Sequence, residues 1–227
     1  MRAVILCGGI GKRLRPLTDS VPKVMVKVRG EPLLTHILRG LKPYVTEAVL
    51  VVGYLKDKIT DYYGSHFEGI NLSYAVQSEF KGTAHALLCA ESFIDASFIL
   101  VYGDTYFNSG IYRKLLTQKS DGVIVAKTVS NPSDYGVLNV VDGYLVNILE
   151  KVPNPPGNLI NAGIYLLPFE VFSACRRIPL SLRNEYELTD AITLLITEGF
   201  TFKPVVIDAW IDVGTIERLK EAENMIF

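Results

Sequence analysis

Two hydrophobic periods alternate along the first half of the chain. Ala3–Cys7 is an unbroken apolar run, the pattern of a strand buried on both faces. Pro32 then opens a stretch in which Leu33, Leu34, Ile37, Leu38 and Leu41 share one face, which predicts a helix with proline near its first turn. Ala48–Val52 reads as a buried strand, Asp57–Tyr63 as a short helix and Leu72–Gln77 as a third strand. Gly82–Phe93 reads as a helix, and Phe98–Tyr102 as a fourth strand ending at Gly103-Asp104. Strands alternating with helices imply right-handed crossovers, hence an α/β fold with a doubly wound, largely parallel sheet.

The pattern changes in the middle. Val123–Thr128, Val137–Val141, Tyr144–Leu149 and Ile160–Leu166 follow one another closely, with Asp142-Gly143 a hairpin signal between two of them. An antiparallel section spliced onto the parallel sheet is expected there, making the sheet mixed. The end returns to a helix (Leu188–Thr197), a strand (Phe202–Ile207) and an amphipathic helix (Thr215–Met225). No repeat or low-complexity tract interrupts the chain, and Pro153–Asn158 reads as a loop. Residues 1–227 are expected to form a single domain.

Composition narrows the function classes. The chain has 227 residues, 49% hydrophobic and 21% charged, enough to bury a core and too apolar for a disordered segment. Its net charge of −1 supplies no basic footprint, so a nucleic-acid partner is not expected. No apolar run approaches the roughly 18–20 residues of a membrane span. Met1-Arg2 and the short apolar run after it are followed by glycines where a signal peptide would carry its cleavage site. Cys7, Cys89 and Cys175 are an odd number, far apart and without a CxxC pair, as expected of reduced core residues in a cytoplasmic protein. His36, His66 and His85 make no zinc-ligand spacing with them and read as structural or exposed.

The chemistry concentrates in the loop after the first strand, from Leu6 and Cys7 through Gly8, Gly9, Gly11, Lys12, Arg13, Arg15 and Pro16 to Pro22-Lys23. Glycines at the carboxyl end of a buried strand let the backbone approach a ligand and turn its N–H groups toward an anion. A Walker A loop would need Ser or Thr after Gly11-Lys12, where Arg13 stands. The spacing of Gly8, Gly9 and Gly11 does not make a dinucleotide fingerprint, and Pro16 and Pro22 stop a long helix from following. What remains is a glycine loop loaded with cations, suited to a polyphosphate of about three or four negative charges. A solvated turn with ordinary surface charges would also account for the loop taken by itself.

Gly8-Gly9-x-Gly11-x-Arg13-Leu14-x-Pro16-x-Thr18, with Pro22-Lys23, resembles the signature of the sugar-1-phosphate nucleotidylyltransferases. Further similar segments recur in order: Gln77 with Gly82-Thr83-Ala84, Tyr102-Gly103-Asp104, Asp134-Tyr135-Gly136, Glu150-Lys151, Asn161-Ala162-Gly163, Glu187-Leu188-Thr189-Asp190 and Trp210 to Thr215. The resemblance implies a Rossmann-like, nucleotide-diphospho-sugar transferase-like fold with an inserted antiparallel sugar-binding section. It extends to archaeal members that carry a C-terminal left-handed β-helix. That β-helix and its acetyltransferase activity are not expected here, because the sequence runs only a short way past Gly214.

The resemblance also assigns roles. Leu6, Gly8, Gly9, Gly11, Lys12, Arg13, Gln77, Gly82 and Thr83 would bind the nucleotide, and Gly136, Glu150, Lys151 and Asn161 the sugar phosphate. Asp104 and Asp212 would hold Mg²⁺, and Arg13, Lys23, Asp104 and Asp212 would be the catalytic set. Taken separately, Asp104 or Asp212 is better explained by a turn or cap, and Glu150-Lys151 is equally explained by a surface pair. Tyr135 suits stacking on a sugar or plain core packing. Together the two aspartates make sense as hard oxygen ligands, since Mg²⁺ takes one or two carboxylates plus substrate phosphates and water. Gln77 offers one acceptor and one donor, matching the N3–H and a carbonyl of uracil or thymine.

The implied reaction joins an NTP (UTP or dTTP) to a sugar 1-phosphate of the glucose or N-acetylglucosamine type, giving an NDP-sugar and pyrophosphate. Three other readings remain open on the sequence: a GTP-using mannose- or heptose-1-phosphate guanylyltransferase, a non-catalytic regulatory relative and a glycosyltransferase. The last lacks a D-x-D motif near Asp104.

Overall fold

The computed structural model describes residues 1–227, and the elements fall largely where the hydrophobic pattern puts them. β1 (Arg2–Leu6) carries fully buried Ala3, Val4 and Ile5. Single 3-10 turns at Lys12–Leu14, Leu17–Asp19 and Lys23–Met25 then take the place of a helix, as Pro16 and Pro22 require. A short hairpin, β2 (Lys27–Val28) and β3 (Glu31–Pro32), leads into α1 (Leu33–Leu41). The five apolar side chains that predicted α1 are all buried, each stabilising by about 1.5–3 kcal/mol relative to exposure. β4 (Glu47–Val52), α2 (Lys56–Tyr63), β5 (His66–Phe67), β6 (Ile70–Val76), α3 (Thr83–Leu88) and β7 (Phe98–Tyr102) follow.

The helix expected over Gly82–Phe93 is interrupted. α3 ends at Leu88, and a separate 3-10 turn covers Glu91–Phe93. Cys89 and Ala90 donate to carbonyls three residues back, so the last turn tightens and buries Ala90 instead of continuing.

The second half consists of β8 (Thr105–Phe107), α4 (Ile111–Leu116), β9 (Gly122–Thr128), β10 (Gly136–Val141), β11 (Tyr144–Glu150) and β12 (Leu159–Leu167). After these come α5 (Val171–Arg177), α6 (Leu188–Thr197), β13 (Phe202–Val206), β14 (Trp210–Asp212) and α7 (Ile216–Asn224). β6, β4, β1 and β7 are successive parallel neighbours. β12 pairs antiparallel with β7 and carries β9 and β10 antiparallel to itself, so the expected insert is continuous with the parallel half. Asp142 and Gly143 are both left-handed, at φ 51° and 79°, and join β10 to β11 as the hairpin signal required.

Helices cover both faces of the sheet. Ile5 and Leu50 pack with Leu38 of α1, Ile59 of α2 and Leu115 of α4. Val4 and Val51 pack on the opposite side with Leu87 of α3, Phe172 of α5 and Ile192 of α6. Continuous apolar strands are what a sheet buried on both sides needs. No helix is long and apolar enough to cross a membrane. Outside the main sheet, β8 and β14 form a separate antiparallel pair that brings Asp212 opposite Thr105.

Candidate active site

The carboxyl ends of β1 and β7 meet at the glycine loop. Gly103 donates to the Leu6 carbonyl at 3.0 Å, and a β-carbon on Gly103 would lie 2.8 Å from that oxygen. Beyond Leu6, the amides of Gly8, Gly9, Ile10 and Gly11 donate to no backbone carbonyl. Successive free N–H groups at a strand's end are what an anion needs. Gly11 is left-handed at φ 69°, and its carbonyl accepts from the buried Thr18 hydroxyl at 2.8 Å, which closes the loop. The Cys7 thiol is driven up by burial and stays protonated, so it is core and not a nucleophile.

Two adjoining cavities open there. The first, about 260 Å³, has Leu6, Gly8, Gly9, Lys23, Gln77 and Gly82 in its lining. The second, about 250 Å³, is lined by Arg13, Gly136, Glu150, Lys151, Asn161 and Asp212, among others. Thr83 and Asp104 line both. Nearly every residue selected from the sequence is thereby gathered at one continuous cleft. Gly11 and exposed Lys12 are not among its lining residues.

At the junction, Lys23 Nζ donates to Asp104 Oδ2 at 2.5 Å. Burial alone would raise the Asp104 carboxyl, but the charge and hydrogen bond of Lys23 outweigh it and hold the group below its usual range. Asp212 is fixed differently. Tyr135 donates its hydroxyl to Asp212 Oδ1 at 2.7 Å, while Arg218 from α7 pairs with the same oxygen and covers the Tyr135 ring 5.3 Å from its centroid. Tyr135 therefore positions a carboxylate, a role beside the two the sequence offered, stacking on a sugar and core packing. A backbone bond from Val213 to the Asp104 carbonyl, 2.7 Å, ties the two aspartate segments together.

This donor set fits the Mg²⁺ that the family resemblance implies. Asp104 Oδ1 and Asp212 Oδ2 have no side-chain hydrogen-bond partner, leaving one hard oxygen on each carboxylate. Two carboxylates without a third protein ligand suit Mg²⁺ completed by phosphate and water, not a closed structural zinc site.

On the sugar side, Gly136 makes room for Glu150: a β-carbon there would lie 2.7 Å from Glu150 Oε2. Thr189 donates to that oxygen at 3.2 Å. Burial raises the Glu150 carboxyl against the opposing pull of Lys151 and Arg183. Lys151 is held left-handed at φ 48°, a strained conformation for lysine of the kind that clusters at functional sites. Asn161 and Gly163 sit where the register of β12 against β9 shifts. Asn161 donates to the Tyr165 hydroxyl at 2.5 Å and accepts from the Gly163 amide at 2.9 Å, which fixes the amide and leaves one N–H and one lone pair for a ligand.

Arg183 escaped the sequence reading. It donates to Glu187 at 2.8 Å, lies 3.7 Å from Glu150, and adds a third cation to the second cavity beside Arg13 and Lys151. His85, read from the sequence only as structural or exposed, accepts from the Gln77 amide. Neither contact has a signal in spacing, because each depends on how separate elements dock.

The family model described as Nucleotidyl transferase matches residues 2–226. The chain is 41% identical to UTP–glucose-1-phosphate uridylyltransferase AglF of Haloferax volcanii, over 100% of the chain and 96% of that protein. It is 37% identical to the bifunctional protein GlmU of Methanocaldococcus jannaschii, over 100% of the chain but only 54% of that longer protein. A Bacillus anthracis crystal structure assigned as a glucose-1-phosphate thymidylyltransferase, in complex with sucrose, superposes with a TM-score of 0.89. The two are 28% identical, and the match covers 100% of this chain and 97% of that one.

Proposed function

The chain belongs to the nucleotidyl transferase family, and on that premise we propose that it transfers the nucleotidyl group of UTP or dTTP to a sugar 1-phosphate. Glucose 1-phosphate is the first candidate acceptor and N-acetylglucosamine 1-phosphate the second. The products are an NDP-sugar and pyrophosphate, made by residues 1–227 acting as one unit. The observation that carries this reading is the Lys23–Asp104 pair at the junction of a glycine-loop cavity and a cation-lined cavity.

The nucleotide lies in the first cavity, its base at Gln77 and Gly82 and its phosphates along the free amides of the loop. The sugar 1-phosphate lies in the second, its hydroxyls at Glu150 and Asn161 and its phosphate between Lys151 and Lys23. A phosphate oxygen of the sugar attacks the α-phosphorus as the bond from that phosphorus to the bridging oxygen of pyrophosphate breaks. The nucleophile is already an anion, so no strong base is required. The protein's task is to hold two polyanions in line and neutralise their charge. Lys23 steadies the α-phosphate and the incoming phosphate, and Arg13 the β- and γ-phosphates. Mg²⁺ held by Asp104 and Asp212 would supply further positive charge at the α-phosphate.

Incubating the protein with Mg²⁺, each NTP and a set of sugar 1-phosphates, then measuring pyrophosphate and NDP-sugar, tests the reading. UTP and dTTP are expected to react well and GTP about tenfold to a hundredfold less, the cost of one mismatched buried polar group. Pyrophosphate from no combination would overturn the transferase. A preference for GTP or ATP would overturn only the role of Gln77.

A further inference from the structure

Gln77 is six per cent exposed and sits just beyond β6, where its backbone amide donates to the Val52 carbonyl at 2.8 Å. A glutamine amide is nearly symmetric in shape, and rotating it by half a turn exchanges donor for acceptor. By itself it therefore serves uracil, which offers N3–H beside a carbonyl, or cytosine, which offers a bare N3 beside an amino group. Something must fix the amide before it can choose.

His85 does this geometrically. Its Nδ1 lies 3.3 Å from Gln77 Nε2. An amide nitrogen can only donate, so Nδ1 is the acceptor and the ring proton sits on Nε2. The Gln77 oxygen is then turned the other way, against Gly8 at the wall of the first cavity, where a β-carbon on Gly8 would lie 2.8 Å from it. His85 is itself held firmly. Its helix is docked by the Ala84 amide on the Tyr186 carbonyl at 2.9 Å and by the Leu188 amide on the Thr83 hydroxyl at 2.9 Å. A β-carbon on Gly82 would lie 2.5 Å from that same Tyr186 carbonyl, so the helix start is pressed against the 185–187 segment.

We propose that His85 is a positioning residue that holds the Gln77 amide with its oxygen toward the base, and so selects uracil or thymine over cytosine. This rests on the reading of Gln77 as the base contact. To accept cytosine the amide must flip, and it then either gives up its bond to Nδ1 or requires the imidazole to move its proton from Nε2 to Nδ1. Either change penalises CTP and leaves UTP untouched.

The test is the ratio of kcat/KM for UTP to that for CTP in the wild type, Gln77→Ala, His85→Ala and His85→Asp. His85→Ala is expected to lower the ratio about fivefold, the scale of one net hydrogen bond, mainly through KM. His85→Asp, which can only accept from the glutamine, is expected to keep the ratio near that of the wild type. An unchanged ratio in His85→Ala beside a collapsed ratio in Gln77→Ala would overturn the inference and leave Gln77 as the base contact. Equal loss in His85→Ala and His85→Asp would also overturn it, making His85 only structural. An unchanged ratio in Gln77→Ala would show that the underlying reading of Gln77 is itself wrong.

Discussion

Lys23 Nζ and Asp104 Oδ2 are 2.5 Å apart, the lysine nearly buried and the aspartate one-third exposed at the cleft. A lysine so placed is oriented before any substrate arrives, and its partner keeps a second oxygen available. Charge groups fixed in advance are what in-line phosphoryl chemistry rewards. The lysine reaches this place through Pro22, which ends the loop, and the 3-10 turn Lys23–Met25, whose Val24 is buried.

Replacing Lys23 by alanine is therefore expected to lower kcat and kcat/KM together by about a hundredfold to a thousandfold, as loss of a preorganised charge-stabilising donor does. Steady-state kinetics on a folded variant checks it. A raised KM for the NTP with normal kcat would instead make Lys23 a uniform binding group.

Glu150 supplies a pH-dependent prediction. Burial raises its carboxyl above the ordinary 4.5, so the folded state disfavours the anion. The stability this one group contributes is fullest below that ordinary value and declines as pH rises through it toward the folded value. Glu150→Gln removes this penalty and keeps an acceptor for Thr189. Its melting temperature is expected to gain on the wild type as pH rises from about 4 to about 7. Its kcat/KM for the sugar phosphate is expected to fall about tenfold to a hundredfold, the cost of a charge-assisted bond. Thermal melts across that range, beside kinetics at neutral pH, read both.

Gly8 and Gly103 separate binding from folding. A β-carbon on Gly8 meets the end of the Gln77 side chain at 2.8 Å, whereas one on Gly103 meets the Leu6 carbonyl at 2.8 Å and Val24 at 2.6 Å. A side chain can move aside and a central strand cannot. Gly8→Ala is expected to raise KM for UTP severalfold with little change in melting temperature. Gly103→Ala is expected to destabilise by about 1–3 kcal/mol, as overpacking does. Calorimetry together with UTP titrations checks the contrast.

Much of this was legible in the sequence where the signal is local. The apolar run of β1, the one-sided spacing of α1 and the Asp142-Gly143 turn are each determined within a few residues. The glycine loop can be located in the same way, by its position directly after a buried strand. What stayed hidden depends on distant segments meeting. β8 and β14 are three residues each and pair across about a hundred positions, so no periodicity marks them. Arg183 and Arg218 look like ordinary surface charges until their loop and helix dock beside Glu187 and Asp212. Tyr135 suits stacking or core packing from the sequence alone, and only the docking of its segment puts its hydroxyl on Asp212.

The proposed transfer runs directly from NTP to sugar phosphate within one cleft, with no covalent enzyme intermediate. Exchange of radiolabelled pyrophosphate into UTP in the presence of Mg²⁺ measures it. Label is expected in UTP when glucose 1-phosphate is also present, and none when the protein holds UTP and pyrophosphate alone. Label entering UTP at a comparable rate without the sugar phosphate would show a nucleotidyl-enzyme and contradict direct transfer.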